Sequence, residues 1–241
     1  MRSRQLALAI ALTAATLPTS ALAQDAKPTK LTTDFGYVQT SGNTDVTTFT
    51  GSDKLEHPMS GWLLTQEANA VWGETDGVES AGRYGASLRA DRELGPHWSA
   101  YGLVSWRRNV FSGISRQFDE GLGLAWHAVA QKPHTLDLEV GAGLSQRLTT
   151  LEQQDDFGTA RLGSKYTYEF SEKSKFEAGG AYVFNLNDSE DGDANARVSL
   201  TAPVAGKLAL KVGYDFLYRN KPLPGLEKLD TTFGVGVQAS F

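Results

Sequence analysis

The feature that most constrains this chain is a two-residue alternation of apolar and polar side chains that runs to its last residue. Leu208, Leu210, Val212, Tyr214, Phe216 and Tyr218 share one parity, and Lys207, Ala209, Lys211, Gly213 and Asp215 the other. The closing segment repeats the pattern, with Phe233, Val235, Val237, Ala239 and Phe241 against Thr232, Gly234, Gly236, Gln238 and Ser240. So do Leu136, Leu138, Val140, Ala142 and Leu144 against Asp137, Glu139, Gly141 and Gly143, and Ala160, Leu162, Tyr166, Tyr168 and Phe170 against Arg161, Lys165 and Glu169. Successive side chains of a strand point to opposite faces, so each segment is a ribbon with one apolar and one polar face.

In a soluble protein the apolar face is the core; in a membrane barrel it meets lipid and the polar, Gly-rich face lines the interior. Two observations favour lipid. The strands read as long, most of them ten residues or more, where soluble strands have about five or six and membrane strands about 9–11. Aromatic residues also sit at the ends of the apolar faces. Trp62 and Trp72 share parity ten residues apart. At about 3.3 Å per residue and about 40° tilt, that interval spans roughly 25 Å of membrane normal, the height of an apolar band between two aromatic girdles. Trp98 and Trp106 form a similar pair, and Tyr214 and Tyr218 belong to the same expected girdle, because aromatics with a polar tip favour the interfaces.

The segments 31–40, 46–57, 61–73, 81–91, 97–109, 117–130, 135–148, 157–170, 175–185, 194–204, 207–219 and 228–241 read as strands. The expectation is an all-β, antiparallel up-and-down transmembrane barrel of about twelve strands over residues 31–241. The second strand leaves its face open, since Thr and Phe49 mix on both parities. Connections alternate between a short set (58–60, 94–96, 131–134, 171–174, near 205–206) and a longer set with three acidic loops (74–79, 150–156, 186–193). Short turns suit the periplasm and longer loops the exterior, which puts both mature termini in the periplasm.

The first residues read as an export signal. Arg2 and Arg4 precede an apolar run from Leu6 to Leu17, and Ala21 and Ala23 form an A-x-A site before Gln24. The expected parts are a cleaved leader over 1–23, a short periplasmic segment over 24–30, and the barrel. The run is too short to span a bilayer, and no Cys is present to take a lipid or a disulfide. With 23 Lys and Arg against 28 Asp and Glu, the chain is acidic, which argues against a nucleic-acid partner.

The interior face carries the candidate chemistry. Arg83, Arg89, Arg161, Lys165, Arg197, Lys207, Lys211 and Arg219 are predicted to face inward. Asp34, Glu67, Asp91, Asp119, Asp137, Glu139, Glu169, Glu177 and Asp215 are predicted to stand against them. The signs nearly balance, and a balanced lining closes up into ion pairs where a single-sign lining would select ions. The expectation is a narrow or plugged, hydrated lumen. No catalytic, cofactor or metal residues are assigned. His57, His97 and His134 fall beside turns and His127 low on its strand, where imidazoles ligate metal or titrate only if they converge. His97 and Ser99 share parity, but with Trp98 toward lipid both face inward and no third group orients them. The run Asn187 to Asp193 resembles half of a calcium loop, yet its twelfth position is Val198 where a bidentate Glu belongs. Loose binding of divalent cations at the acidic loops remains an expectation.

The opening pair, Gly36-Tyr37 through Thr40-Ser41-Gly42-Asn43-Thr44 to Lys54-Leu55, resembles the start of the YdiY-type salt-induced outer-membrane proteins, the domain of unknown function 481 family. Phe118 to Leu124, Leu136 to Gly143, and Tyr218-Arg219-Asn220-Lys221-Pro222 leading to Asp230-Thr231 fit as well, so the resemblance covers nearly the whole mature chain. It implies fold and outer-membrane location and supplies no catalytic or ligand residues. The terminal Phe241 is similar to the signal read by the barrel assembly machinery. Expected partners are therefore that machinery during biogenesis, outer-membrane lipid and lipopolysaccharide. The expected function is a narrow, non-enzymatic channel with a charge-balanced lumen. The alternative is a non-conducting structural or envelope-stress barrel that binds cations or lipopolysaccharide through its acidic loops, with a lipid hydrolase as the remote third.

Overall fold

A computed structural model of the protein describes residues 28–40, 46–171 and 174–241. The expected leader over 1–23, residues 24–27 and the segments 41–45 and 172–173 lie outside the described residues. Twelve strands follow in chain order: β1 Lys30–Thr40, β2 Val46–Met59, β3 Trp62–Thr75, β4 Val78–Gly95, β5 Trp98–Asn109, β6 Ile114–Gln131, β7 His134–Thr149, β8 Gln154–Glu169, β9 Lys175–Asn185, β10 Gly192–Ala205, β11 Leu208–Arg219 and β12 Leu229–Ser240. Each pairs antiparallel with its chain neighbours, and β1 pairs with β12 to close the barrel. At that seam Leu31 and Phe241 exchange backbone hydrogen bonds of 3.0 and 2.8 Å, so the final residue is itself a rung of the closure. Full closure is what removes the unpaired strand edges that a bilayer could not hydrate.

The molecule is inside out relative to a soluble domain. Only five apolar residues are buried among those described, against eleven polar or charged ones. Large apolar side chains stand exposed on the outer face, Leu122 by 73%, Phe233 by 64% and Leu144 by 60%. An apolar exterior this extensive is stable only in contact with lipid. The pairing register settles the face of the second strand. Phe49 points outward and meets Phe35 edge-on at 5.1 Å, while Ser52 points inward, its hydroxyl donating to Asp34.

Trp62 and Trp98 are about half exposed at the end of the barrel that carries the chain termini, and Trp98 stacks on Trp126 at 6.2 Å. Trp72 is in register with Phe49, and Trp106 with Phe118, toward the opposite, distal end. Tyr214 packs on Phe216 at 4.7 Å, and Tyr218 donates to Asn220 at 2.9 Å.

The strands run further than their hydrophobic patterns, and this corrects the reading of the distal loops. The first expected acidic loop, 74–79, is a two-residue hairpin, because Glu74 pairs with Glu79 and Thr75 with Val78 in the ladder. Its corner is Asp76-Gly77 with φ of 51° and 78°, the left-handed pair that the twist of a tight hairpin demands and that Asp-Gly supplies. Similarly β8 begins at Gln154 and β10 at Gly192, so polar residues that looked like loop are paired. The long distal connection is 220–228, between β11 and β12.

Candidate functional site

The interior divides into two halves. Along β5, β6 and β7 it is packed solid. Gly123 and Gly141 have no side chains, and the ring of Tyr101 lies over both, where added Cβ atoms would meet it. The Arg89 guanidinium sits 4.1 Å above the Tyr101 ring and reaches Asp91 at 2.8 Å and Glu139 at 2.9 Å. Cation–π contact and two carboxylates together compensate that charge. Nearer the distal end, the Gln117 amide donates to Ser145 at 2.8 Å and Asp119 at 2.9 Å, and the Ser145 hydroxyl donates to Asp119 at 2.7 Å. Gln117 and Ser145 are fully buried. Arg147, also buried, lies 4.8 Å over the Phe157 ring and bonds Asp155 at 3.0 Å and Asp191.

The other half is open. A cavity of about 1230 Å³ runs along β8 to β12 and back through β1 to β4. Its boundary reaches from Lys30, Lys207 and Ser174 at the terminal end to Ser112, Pro222 and Asp230 at the distal end. Side chains here are also paired, around open space. Lys54 reaches Glu56 at 3.0 Å and Glu67 at 3.7 Å, Lys175 reaches Glu177 at 2.8 Å, and Lys211 reaches Asp34 at 2.6 Å.

Two sets of contacts cross the lumen. β5 and β10 lie five steps apart around the ring, yet Arg107 reaches Asp193 at 2.5 Å, and Asp193 also takes Arg219 at 3.1 Å. Arg83 of β4 stands 3.6 Å from Asp215 of β11, which Arg197 holds at the same time. The barrel is thus drawn together along one axis. At the distal mouth, the turn Val110–Ser112 meets the 220–228 loop. Ser112 bonds Asp230, its carbonyl accepts from Arg219 at 3.1 Å, and the sides of Leu223 and Leu226 lie against Gly113.

The structure sorts the residues predicted to line the lumen. Arg83, Arg161, Lys165, Glu169, Glu177, Arg197, Lys211, Asp215 and Arg219 border the cavity, as do Arg89 and Glu139 at its packed edge. Asp91 and Asp119 belong to the packed half. Asp137 accepts from His127 at 2.7 Å. The predicted set omitted Arg107, Arg147, Asp191, Asp193, Gln117 and Tyr101. Parity would have found Tyr101 and Arg107 beside Ser99 and Ser105 on β5, but Asp191 was read as loop.

The histidines do not converge. His57 meets Thr29 at 2.7 Å and His134 meets the Tyr166 hydroxyl at 2.7 Å, while His127 has Asp137. Among the described residues, no group of three or more His, Asp or Glu is disposed to hold a metal. Ser99 is buried on the inner face. In the acidic loop, Asp191 and Asp193 turn inward to arginines, and Asp188 accepts from Lys221 at 2.5 Å. That bond holds the exposed Asp188 carboxyl below the ordinary aspartate range.

A closed twelve-strand barrel with an apolar exterior and a polar, partly open lumen is the architecture of a porin-like transmembrane protein. Residues 33–241 match the family described as "Protein of unknown function, DUF481", and the chain belongs to that family. Solved structures share the fold at low identity. A NanC porin superposes with a TM-score of 0.55 at 12% identity, covering 87% of this chain and 98% of that one. The COG4313 outer-membrane channel from Pseudomonas putida F1 gives 0.52 at 12%, covering 93% and 99%. A KdgM porin in complex with disordered oligogalacturonate gives 0.50 at 12%, covering 87% and 99%. No curated protein matches the chain by sequence.

Proposed function

We propose that this protein is a narrow outer-membrane channel and not an enzyme. It works with its terminal end in the periplasm, among lipid and lipopolysaccharide, after insertion by the barrel assembly machinery through the Phe241 signal. The observation that carries the reading is the cavity whose boundary includes residues from both ends of the barrel. Polar walls of Lys, Arg, Asp, Glu, Ser and Asn hold water, and a hydrated passage through a closed barrel conducts small solutes. The resemblance in fold to porins and channels supports the same reading. The purified protein in planar bilayers is expected to give discrete conductance steps, small because the lumen is half filled.

A second reading rests on the joined distal mouth. The contact of Ser112 with Asp230 and of Gly113 with Leu223 and Leu226 supports a barrel closed at that end. Such a barrel would serve the envelope without conducting, binding divalent cations or lipopolysaccharide through carboxylates that remain outside, such as Glu152, Asp156 and Glu190. Bilayers that stay silent at all voltages would favour it.

A further inference from the structure

The open half of the lumen is basic in an acidic protein. The chain carries 23 Lys and Arg against 28 Asp and Glu, yet fifteen Lys and Arg and eleven Asp and Glu border the cavity. The acidic excess is therefore elsewhere, and the wet wall has spare positive charge.

That charge gathers at one row of the sheet. Lys165 of β8 is in register with Gly179 of β9, Gly179 with Arg197 of β10, and Arg197 with Asp215 of β11. All four positions face inward. Lys165 and Arg197 are two strand spacings apart, about 9–10 Å, with no side chain between them. The three atoms nearest to a Cβ placed on Gly179 would be the Ser164 carbonyl at 3.1 Å and the root of Lys165 at 3.5 and 3.7 Å, and Gly179 itself borders the cavity. The strip over Gly179 is an unfilled notch with a cation on each side.

Neither cation has a carboxylate to itself among the described residues. The register neighbour of Lys165 on β7 is Asp137, but Asp137 is taken by His127 at 2.7 Å, and none of the ion pairs among the described residues includes Lys165. Among the described residues, Asp215 is the carboxylate paired with Arg197, through two hydrogen bonds, and it is shared with Arg83. The Arg197 side chain remains 52% exposed toward the cavity. One turn of the row away on β8, Arg161 has its nearest carboxylate, Glu139, at 3.8 Å, and Glu139 already holds Arg89 at 2.9 Å. Cations out of bulk water and short of partners are costly unless an anion or water completes them.

We propose that the notch over Gly179, between Lys165 and Arg197, binds carboxylate- or phosphate-bearing solutes and gives the lumen a preference for anions. The Lys165 ammonium offers a point charge and three donors. The Arg197 guanidinium, whose Nε and Nη2 already bond Asp215, offers its remaining N–H donors on its exposed side. An anion seated there restores the balance that Asp137 and Asp215 leave short. The proposal deepens the channel reading, and the binding part can be measured without conduction.

The test uses the full mature protein folded in detergent, with citrate as the probe. Citrate titrated calorimetrically is expected to bind the wild type, and Lys165→Gln with Arg197→Gln is expected to weaken it at least about tenfold, the worth of one charged hydrogen bond. Gly179→Asp, which tethers a carboxylate in the notch, is expected to abolish citrate binding while the barrel keeps its folded gel mobility. In bilayers under a KCl gradient, the wild type is expected to show an anion-directed reversal potential that collapses in both variants. Conductance without anion preference, and no citrate binding, would overturn the notch and leave the channel standing. Silent bilayers with citrate binding lost in both variants would overturn the channel and leave the notch. Citrate binding unchanged in both variants would place the anion elsewhere and overturn the assignment.

Discussion

The two halves of the interior use the same residue types to opposite ends. Along β5 to β7, Arg147 is buried between Asp155 and Asp191 over the Phe157 ring. Along β10 and β11, Arg197 holds Asp215 but leaves half its side chain in the cavity. Both are inward arginines with an aspartate partner, and parity cannot tell them apart. What differs is the room around them. Gly123 and Gly141 let Tyr101 lie flat and bring Arg89 down onto it, so the packed wall fills. Gly179 has no such ring above it, so the wall stays open. Glycine on the inner face admits a neighbour in one place and leaves a vacancy in the other, and the charged residues become structural or solvent-facing accordingly.

The comparison is broken most directly by removing one arginine from each half. Arg147→Ala strands a buried Asp191 and is expected to cost about 3–5 kcal/mol, whereas Arg197→Ala removes a half-exposed pair worth about 0–1 kcal/mol. Guanidinium unfolding in micelles, followed by tryptophan fluorescence, measures both; equal losses would erase the distinction between the halves. A smaller effect is expected from single methyl groups. At Gly143 a Cβ meets the Glu120 carbonyl and the Gly121 backbone, while at Gly234 nothing lies within 4 Å. Gly143→Ala should therefore cost about 1–3 kcal/mol by overpacking, and Gly234→Ala should stay within about 0.5 kcal/mol.

The distal mouth gives a functional contrast of the same kind. Leu223→Ser together with Leu226→Ser loosens the contact with Gly113 and is expected to raise single-channel conductance with little change in unfolding midpoint. An unchanged conductance would place the narrowest point deeper, at the Arg107–Asp193 crossing.

The smallest effect concerns Asp188 and Lys221, which join the 186–191 and 220–228 loops on the outside. Asp188 is held below its ordinary value, and Lys221 above its own, each by the hydrogen bond to the other. A lowered carboxyl contributes fully above the unfolded aspartate value and is lost as pH falls through the lowered one; a raised amine contributes below the ordinary lysine value and is lost well above it. The link is thus complete from about pH 4 to about pH 10. Amide exchange at Glu190, whose N–H donates to Asp188, should quicken relative to other loop amides outside that window and not within it. The same exchange at neutral pH in Lys221→Ala should match the acid result.

Much of the fold is legible in the chain because strand alternation is local. Leu208 to Tyr218 and Phe233 to Phe241 declare their faces with no knowledge of neighbours, and closure follows because a bilayer leaves no strand edge unpaired. The family resemblance, drawn from ordered short motifs, matches the family found over residues 33–241. Strand ends were less legible. Glu74, Glu79, Gln154 and Asp193 are polar where the hydrophobic pattern has stopped, and they pair nonetheless because the barrel wall continues beyond the apolar band. Phe49 was ambiguous for the related reason that Thr fits either face.

What the sequence by itself determined is which side of every ribbon but the second is wet, since side-chain parity is set by backbone geometry alone. Only the tertiary structure decided what the wet side does. Arg107 meets Asp193 across 86 residues of chain and the width of the lumen, and Lys165 faces Arg197, two strands away, across Gly179. Those distances depend on barrel closure, stagger and cross-section, which are properties of the assembled sheet and are written in no single strand.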